Sequence, residues 1–156
     1  MTIPEPLIEK CDTLFLDRDG VVNVWLPGDY VKSWDEFRFN EGFLDFIGRY
    51  SSRFRHIFIV TNQRGVGRGL MSMEQLEEIH SRMMDTISRA GGRIDRIYFS
   101  TAVDDSDPMR KPNPGMALKA AEEFPDVRLD RSLMIGDQPS DRRFAQNCGM
   151  HFLRWE

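Results

Sequence analysis

Leu14-Phe15-Leu16-Asp17-Arg18-Asp19-Gly20 passes from an unbroken apolar run straight into two carboxylates. The run Thr13–Leu16 reads as a buried strand. At an extended strand end, positions 17 and 19 lie on the same side, about 7 Å apart along the backbone. Two anions held that close repel each other unless a cation sits between them. Gly20 then frees the chain to turn away. An ionised aspartate beside a second one and a divalent cation points to a nucleophile facing an anionic substrate. A calcium loop would begin similarly, but it requires oxygen ligands at alternating positions and a distant Glu. Val21-Val22-Asn23-Val24 offers almost none of them.

Further apolar runs recur between helical segments. Ile57–Val60, Ile94–Phe99, Leu133–Ile135 and Met150–Trp155 read as strands. Glu41–Tyr50, Met73–Ala90, Met116–Phe124 and Pro139–Asn147 read as helices. The clearest is Met73–Ala90, with a Ser72/Gln75 capping box, a stripe of Leu76, Ile79, Met83 and Ile87, and Gly91-Gly92 to stop it. Strands alternating with helices predict an α/β fold, a three-layer doubly wound (Rossmann-like) parallel sheet. In such sheets ligands bind beyond the carboxyl ends of the strands. Residues 20–40 are the longest connection and predict a hairpin or flap over that crevice.

Composition sets the frame. The chain has 156 residues, 40% of them hydrophobic and 29% charged, with a net charge of −4. These proportions are ordinary for a soluble globular protein, and the length predicts one domain over 1–156 burying roughly 70% of its unfolded surface. The acidic balance argues against a dedicated nucleic-acid binder. Cys11 and Cys148 give neither a disulfide framework nor a paired-cysteine metal motif. Residues 1–10 lack the apolar region of a signal peptide, and no stretch approaches a membrane span. The expectation is a reduced, cytoplasmic protein with no membrane partner.

Three more polar clusters follow predicted strands or open helices. Val60-Thr61-Asn62-Gln63-Arg64-Gly65-Val66-Gly67-Arg68-Gly69 offers a hydroxyl and backbone amides suited to phosphate oxygens. Its glycines miss dinucleotide-fold spacing, because position 70 is leucine and the helix begins only later; they read as a flexible connection. Arg64 and Arg68 read either as solvated charges or as contacts to a second anionic group. Arg110-Lys111-Pro112-Asn113-Pro114-Gly115 places one of only four lysines, against 17 arginines, between an arginine and a proline. A compact ammonium there suits charge on a phosphoryl group, though a surface loop lysine reads the same way. In Ile135-Gly136-Asp137-Gln138-Pro139-Ser140-Asp141, Asp137 at a strand end suits Mg²⁺. Asp141 reads either as a second metal contact or as a carboxylate complementing a helix N-terminus. His56, His80 and His151 read as surface or core-edge residues.

The order of these pieces resembles the four motifs of the haloacid dehalogenase-like phosphohydrolases, over nearly the whole chain. Residues 15–23, 60–69 and 110–116 are similar to the subgroup containing heptose 1,7-bisphosphate and histidinol-phosphate phosphatases. The resemblance implies that Asp17 attacks phosphorus and that Asp19 protonates the leaving oxygen and later activates water. It implies Mg²⁺ held by Asp17, the Asp19 carbonyl and Asp137. Thr61 and Lys111 would stabilise the transferring group, with Asn62, Gln63, Arg64 and Arg110 toward the substrate. The subgroup commonly carries a zinc loop just before the Arg-Lys-Pro step. Residues 100–109 here contain no cysteine or histidine, so no zinc is expected. The intervals between motifs predict no inserted cap domain. The function expected is Mg²⁺-dependent hydrolysis of a small sugar (bis)phosphate or related metabolite such as histidinol phosphate. The alternatives are a nucleic-acid-end phosphatase, hinted at by Arg64, Arg68 and Trp25, and a non-catalytic phosphate sensor.

Overall fold

Strand β1 (Thr13–Leu16), buried at all four positions, lies at the centre of a five-stranded parallel sheet. The computed structural model describes residues 1–156. The other strands are β2 (His56–Asn62), β3 (Arg96–Ser100), β4 (Ser132–Gly136) and β5 (His151–Arg154), in the order β3-β2-β1-β4-β5. The chain steps outward from β1 to β3 on one side, then returns to lay β4 and β5 on the other. Between β1 and β4 the winding direction therefore switches, which opens a crevice at their carboxyl ends. Leu14 is in register with Ile57 on one neighbour and Leu133 on the other, so the residues just after these strands reach the crevice together.

Period-two alternation divides the core between the two faces of the sheet. Leu14, Leu16, Ile57, Ile59, Leu133 and Ile135 point to one side and pack with Phe43 and Ile47 of α2 (Phe43–Tyr50) and Leu76, Ile79, Met83 and Ile87 of α4 (Met73–Arg89). Phe15, Phe58, Val60 and Met134 point to the other side. There they meet Met116, Ala117 and Ala120 of α5 (Gly115–Glu123) and Phe144 and Ala145 of α6 (Pro139–Cys148). The result is the expected three-layer architecture, with no cap domain interrupting the sheet.

Element boundaries depart from the sequence reading for local reasons. Strand β2 continues through Thr61 and Asn62 because β3 still pairs with both. Strand β3 begins only at Arg96; Ile94 is buried before the pairing starts. Helix α2 starts at Phe43 because Gly42 is left-handed, at φ +82°. The Ser72/Gln75 capping box forms as read, with Gln75 N–H donating to Ser72 Oγ at 3.0 Å and Ser72 N–H to Gln75 Oε1 at 2.7 Å. Two helices had no signal strong enough to read, α1 (Glu5–Lys10) and the single turn α3 (Arg64–Gly67).

That single turn corrects the reading of its glycines as a flexible connection. A Cβ on Gly65 would come within 2.9 Å of the Tyr30 ring, and one on Gly67 within 2.0 Å of the Thr101 carbonyl oxygen. Both glycines are there for close packing. Residues 20–40 form the expected hairpin-like connection, closed by Val24 N–H to Arg38 O at 2.8 Å and Asn40 N–H to Val22 O at 2.9 Å. No helix is long and apolar enough to cross a membrane.

Candidate active site

Beyond the ends of β1 and β4, the backbone delivers Asp17 and Asp137 to the crevice, and α6 adds Asp141 from its first turn. Carboxylate oxygens of these three residues lie within 4.8 Å of one another. Lys111 reaches in from the loop before α5. Its Nζ donates to Asp17 Oδ1 at 2.7 Å and to Asp141 Oδ1 at 2.9 Å, and it is only 5% exposed. Burial alone would lower the Lys111 ammonium, but Asp141 and Asp17 outweigh it and push it above the ordinary lysine range. The lysine is thus a fixed positive charge and no mere surface loop residue.

Asp17 shows the opposite balance. Burial pushes its carboxyl well above the usual range; Lys111 opposes this, and Asp141 and Asp19 add to it. Three carboxylates face one ammonium, a deficit of two positive charges. A divalent cation beside Asp17 and Asp137 would supply them and draw Asp17 back to its ionised form. The donor set agrees, because Asp137 Oδ1 is buried with no hydrogen-bond partner, whereas its Oδ2 accepts from Gln138 Nε2 at 3.1 Å. Gly20 makes room for this carboxylate: a Cβ there, at φ +98°, would meet Asp137 Oδ2 at 2.0 Å. Both bonds accepted by Asp17, from Lys111 and from Arg18 N–H at 2.9 Å, use Oδ1.

Asp141 complements the N-terminus of α6 with one oxygen and turns the other to Lys111. Its Oδ2 accepts from the N–H groups of Asp137 and Gln138, at 3.2 and 3.1 Å, holding the entry to α6. Its Oδ1 orients Lys111. Gly136 leaves space for it, since a Cβ there would lie 2.3 Å from the Asp141 Cβ.

Asp19 is held by three neighbours. Oδ1 accepts from Arg18 Nη2 at 2.7 Å and Asn23 Nδ2 at 2.9 Å; Oδ2 accepts from Gln63 Nε2 at 3.0 Å. Burial would raise its carboxyl, but Arg18, Asn23 and Gln63 together hold it below the ordinary aspartate range. Gln63 also donates to Thr61 Oγ1 at 2.9 Å, so the residues after β2 are tied to Asp19. Asn62 turns to Lys111 instead, pairing with both polar groups of its backbone.

The outer residues divide differently. Arg64 and Arg110 both bind Asp105, Arg110 through Nε at 3.1 Å, while Arg64 Nε and Arg110 Nη1 are buried without partners. Asp105 therefore bridges two arginines, one following β2 and one preceding α5. Arg68 donates to the Tyr30 hydroxyl at 2.9 Å. Trp25, Leu26 and Tyr30 of the 20–40 connection line the same cavity as Asp17, Asp19 and Lys111. His56 accords with a core-edge reading, half-buried beside Asp126. His80 does not. It is buried, with Nε2 3.2 Å from Arg18 Nη1. The helical spacing of His80 from Leu76, Ile79 and Met83 places it on the apolar stripe, and that signal was available in the sequence.

Comparison with known proteins agrees with this geometry. A HAD-hydrolase-like family model matches residues 108–154. The D-glycero-beta-D-manno-heptose-1,7-bisphosphate 7-phosphatase of Rhodopseudomonas palustris is 35% identical over 91% of this chain and 82% of its own length. A D-glycero-alpha-D-manno-heptose-1,7-bisphosphate 7-phosphatase of Campylobacter jejuni is 34% identical over 92% of this chain and 81% of its own. The crystal structure of D,D-heptose 1,7-bisphosphate phosphatase from B. bronchiseptica, complexed with magnesium and phosphate, superposes with a TM-score of 0.84. It is 34% identical, over 90% of this chain and 78% of that one. The chain belongs to the haloacid dehalogenase-like phosphatases and is a phosphoric monoester hydrolase.

Proposed function

We propose that the chain removes one phosphate from a small sugar bisphosphate of the heptose 1,7-bisphosphate type, with Mg²⁺ held by Asp17, Asp137 and the Asp19 carbonyl. The observation that carries this reading is the Asp17–Lys111–Asp141 chain of contacts beside the unpartnered Asp137 oxygen. Two relatives carry names for opposite anomers of one bisphosphate, so the anomer is left to experiment. When bound, Mg²⁺ would offset negative charge on the phosphoryl group and orient it.

The chain's own residues supply the remaining chemistry. Asp17 attacks phosphorus through Oδ2, the oxygen that neither of its hydrogen bonds uses. The bond from phosphorus to the leaving oxygen breaks, and that oxygen takes the proton of Asp19. The approach of an anionic phosphate favours the protonated form of Asp19, against the pull of Arg18. Asp19 then accepts a proton from water as the water oxygen bonds to phosphorus. The bond from phosphorus to Asp17 breaks, releasing inorganic phosphate and restoring both residues. Lys111 and Thr61 face the charge of the transferring group, Lys111 in an orientation set by Asp141 and Asn62.

Arg64 and Arg110 suit the second phosphate of a bisphosphate, because one carboxylate, Asp105, already draws both guanidiniums together. Trp25 and Tyr30 would cover the sugar. A nucleic-acid end is less well served, since Arg68 is tied to the Tyr30 hydroxyl and Arg64 and Arg110 converge on one carboxylate, a single point for an anion and no open basic groove. The 100–109 loop is held without zinc in this reading. Asn113 Nδ2 donates to the carbonyls of Asp105 and Asp107, at 2.9 and 2.8 Å. The test is phosphate release from heptose and hexose bisphosphates, sugar monophosphates, histidinol phosphate and 3′-phosphorylated DNA, with and without Mg²⁺. The expected result is Mg²⁺-dependent release of one phosphate, with the highest kcat/KM on a sugar bisphosphate. Preference for the DNA end would overturn it.

A further inference from the structure

We propose that His80 is a positioning residue for proton transfer by Asp19, acting through the buried guanidinium of Arg18. The inference rests on the assignment of Asp19 as the acid and base of the reaction.

Arg18 is 0% exposed, a state that arginine almost never adopts unless its charge is paired. Only one of its partners is an anion. Nη2 donates to Asp19 Oδ1 at 2.7 Å, while Nη1 lies 3.2 Å from His80 Nε2, and Nε has no partner. The Phe37 ring sits 5.9 Å from the guanidinium carbon. Arginine has donors only, so His80 Nε2 must present its lone pair and carry no proton. Burial and the Arg18 charge agree, lowering the imidazole to about 3.

The neutrality of His80 matters. A carboxylate at that position would divide the Arg18 charge between two anions. A neutral acceptor fixes the plane of the guanidinium and leaves its charge directed at Asp19. Oδ1 of Asp19 then accepts two donors, from Arg18 and Asn23, and Oδ2 only one, from Gln63, which assigns the transferable proton to the remaining lone pair of Oδ2. His80 lies on α4, more than sixty positions along the chain from Arg18, and touches no group that reacts.

The test compares first-turnover phenol release from phenyl phosphate and p-nitrophenyl phosphate. Nitrophenolate leaves without a proton far more readily than phenolate, so the ratio of the two rates reads acid assistance and is unmoved by a general loss of folded enzyme. His80→Met, which has no comparable acceptor, is expected to lower the phenyl-to-nitrophenyl ratio about tenfold, a part of the whole effect of a general acid. Arg18→Lys, which keeps charge but cannot reach both partners, should lower it similarly and decides the question if His80→Met does not fold. His80→Gln, with an acceptor oxygen, should restore the ratio to near wild type. A wild-type ratio in the folded His80→Met or Arg18→Lys enzyme, or a His80→Gln ratio as low as that of His80→Met, overturns the proposal. Asp19→Asn serves as the reference. If it leaves the ratio unchanged, the assignment of Asp19 itself fails; if it lowers the ratio and the Arg18 and His80 variants do not, only the positioning role fails.

Discussion

Asn62 grips Lys111 by both polar groups of its backbone. Lys111 N–H donates to Asn62 Oδ1 at 2.9 Å, and Asn62 Nδ2 donates to the Lys111 carbonyl at 3.0 Å. The side chain at the end of β2 thus imitates a strand partner for a loop that has none. It fixes the point from which the lysine reaches Asp17.

Asn62→Ala should therefore act on rate more than on substrate binding. Two hydrogen bonds are lost and two backbone groups are left short of partners, for a stability cost of about 2 kcal/mol. With Lys111 free to drift, kcat should fall on the order of tenfold or more while KM changes little. Steady-state kinetics together with urea unfolding check both numbers. An unchanged kcat would show that Lys111 is placed by Asp17 and Asp141 alone.

Lys111→Arg keeps the charge and should still lose most of the rate, on the order of a hundredfold. The ammonium sits between two carboxylates at 2.7 and 2.9 Å in a site with almost no exposure. A planar guanidinium is larger and spreads its charge along a fork, so it cannot meet both oxygens and leave the phosphoryl position clear. Single turnover at saturating substrate isolates the effect from binding.

Acid should weaken the fold through His80. The sign follows from its depressed value: about 3 in the folded protein against 6.5 for an ordinary histidine. Between those values the unfolded chain binds a proton that the folded chain does not. Stability from this residue is therefore present above pH 6.5 and falls as pH drops, by up to about 1.4 kcal/mol per unit. The measurement is the stability gap between wild type and His80→Gln from pH 7.5 to pH 4.5, which removes the shared titration of the carboxylates. The gap should shift against wild type as the solution is acidified.

Metal dependence should separate two ions. EDTA should abolish activity and Mg²⁺ restore it, because Asp17, Asp137 and Asp141 leave a charge deficit that Lys111 alone does not fill. Purified protein should hold no stoichiometric zinc by elemental analysis, because the 100–109 loop offers neither thiol nor imidazole. A zinc content near one per chain would contradict this.

The aspartates gathered at the crevice were legible because they follow apolar strands abruptly, and strand ends in a parallel sheet converge. Asp17, Asp19 and Asp137 needed only that rule. Residues whose roles depend on contacts between distant segments were not legible. Gly65 and Gly67 answer to Tyr30 and Thr101, and Asp105 answers to Arg64 and Arg110, none of which adjacency in sequence reveals. Arg18 was missed for a different reason. An arginine between two aspartates reads as their solvated counter-ion, and only burial beneath Phe37 and α4 shows that it is internal. His80 alone was within reach, through its helical spacing.

The central claim is that phosphate passes through Asp17. The direct measurement is acid quenching during turnover of phosphorus-labelled p-nitrophenyl phosphate by Asp19→Asn, because its leaving group needs no proton, so the first step stays fast while the second lags and the intermediate accumulates. Peptide mapping should find one phosphoryl group, labile to hydroxylamine, on the peptide containing Asp17, and Asp17→Asn should yield neither labelled protein nor phosphate release. Label on another residue, or substantial release by folded Asp17→Asn, would contradict the account.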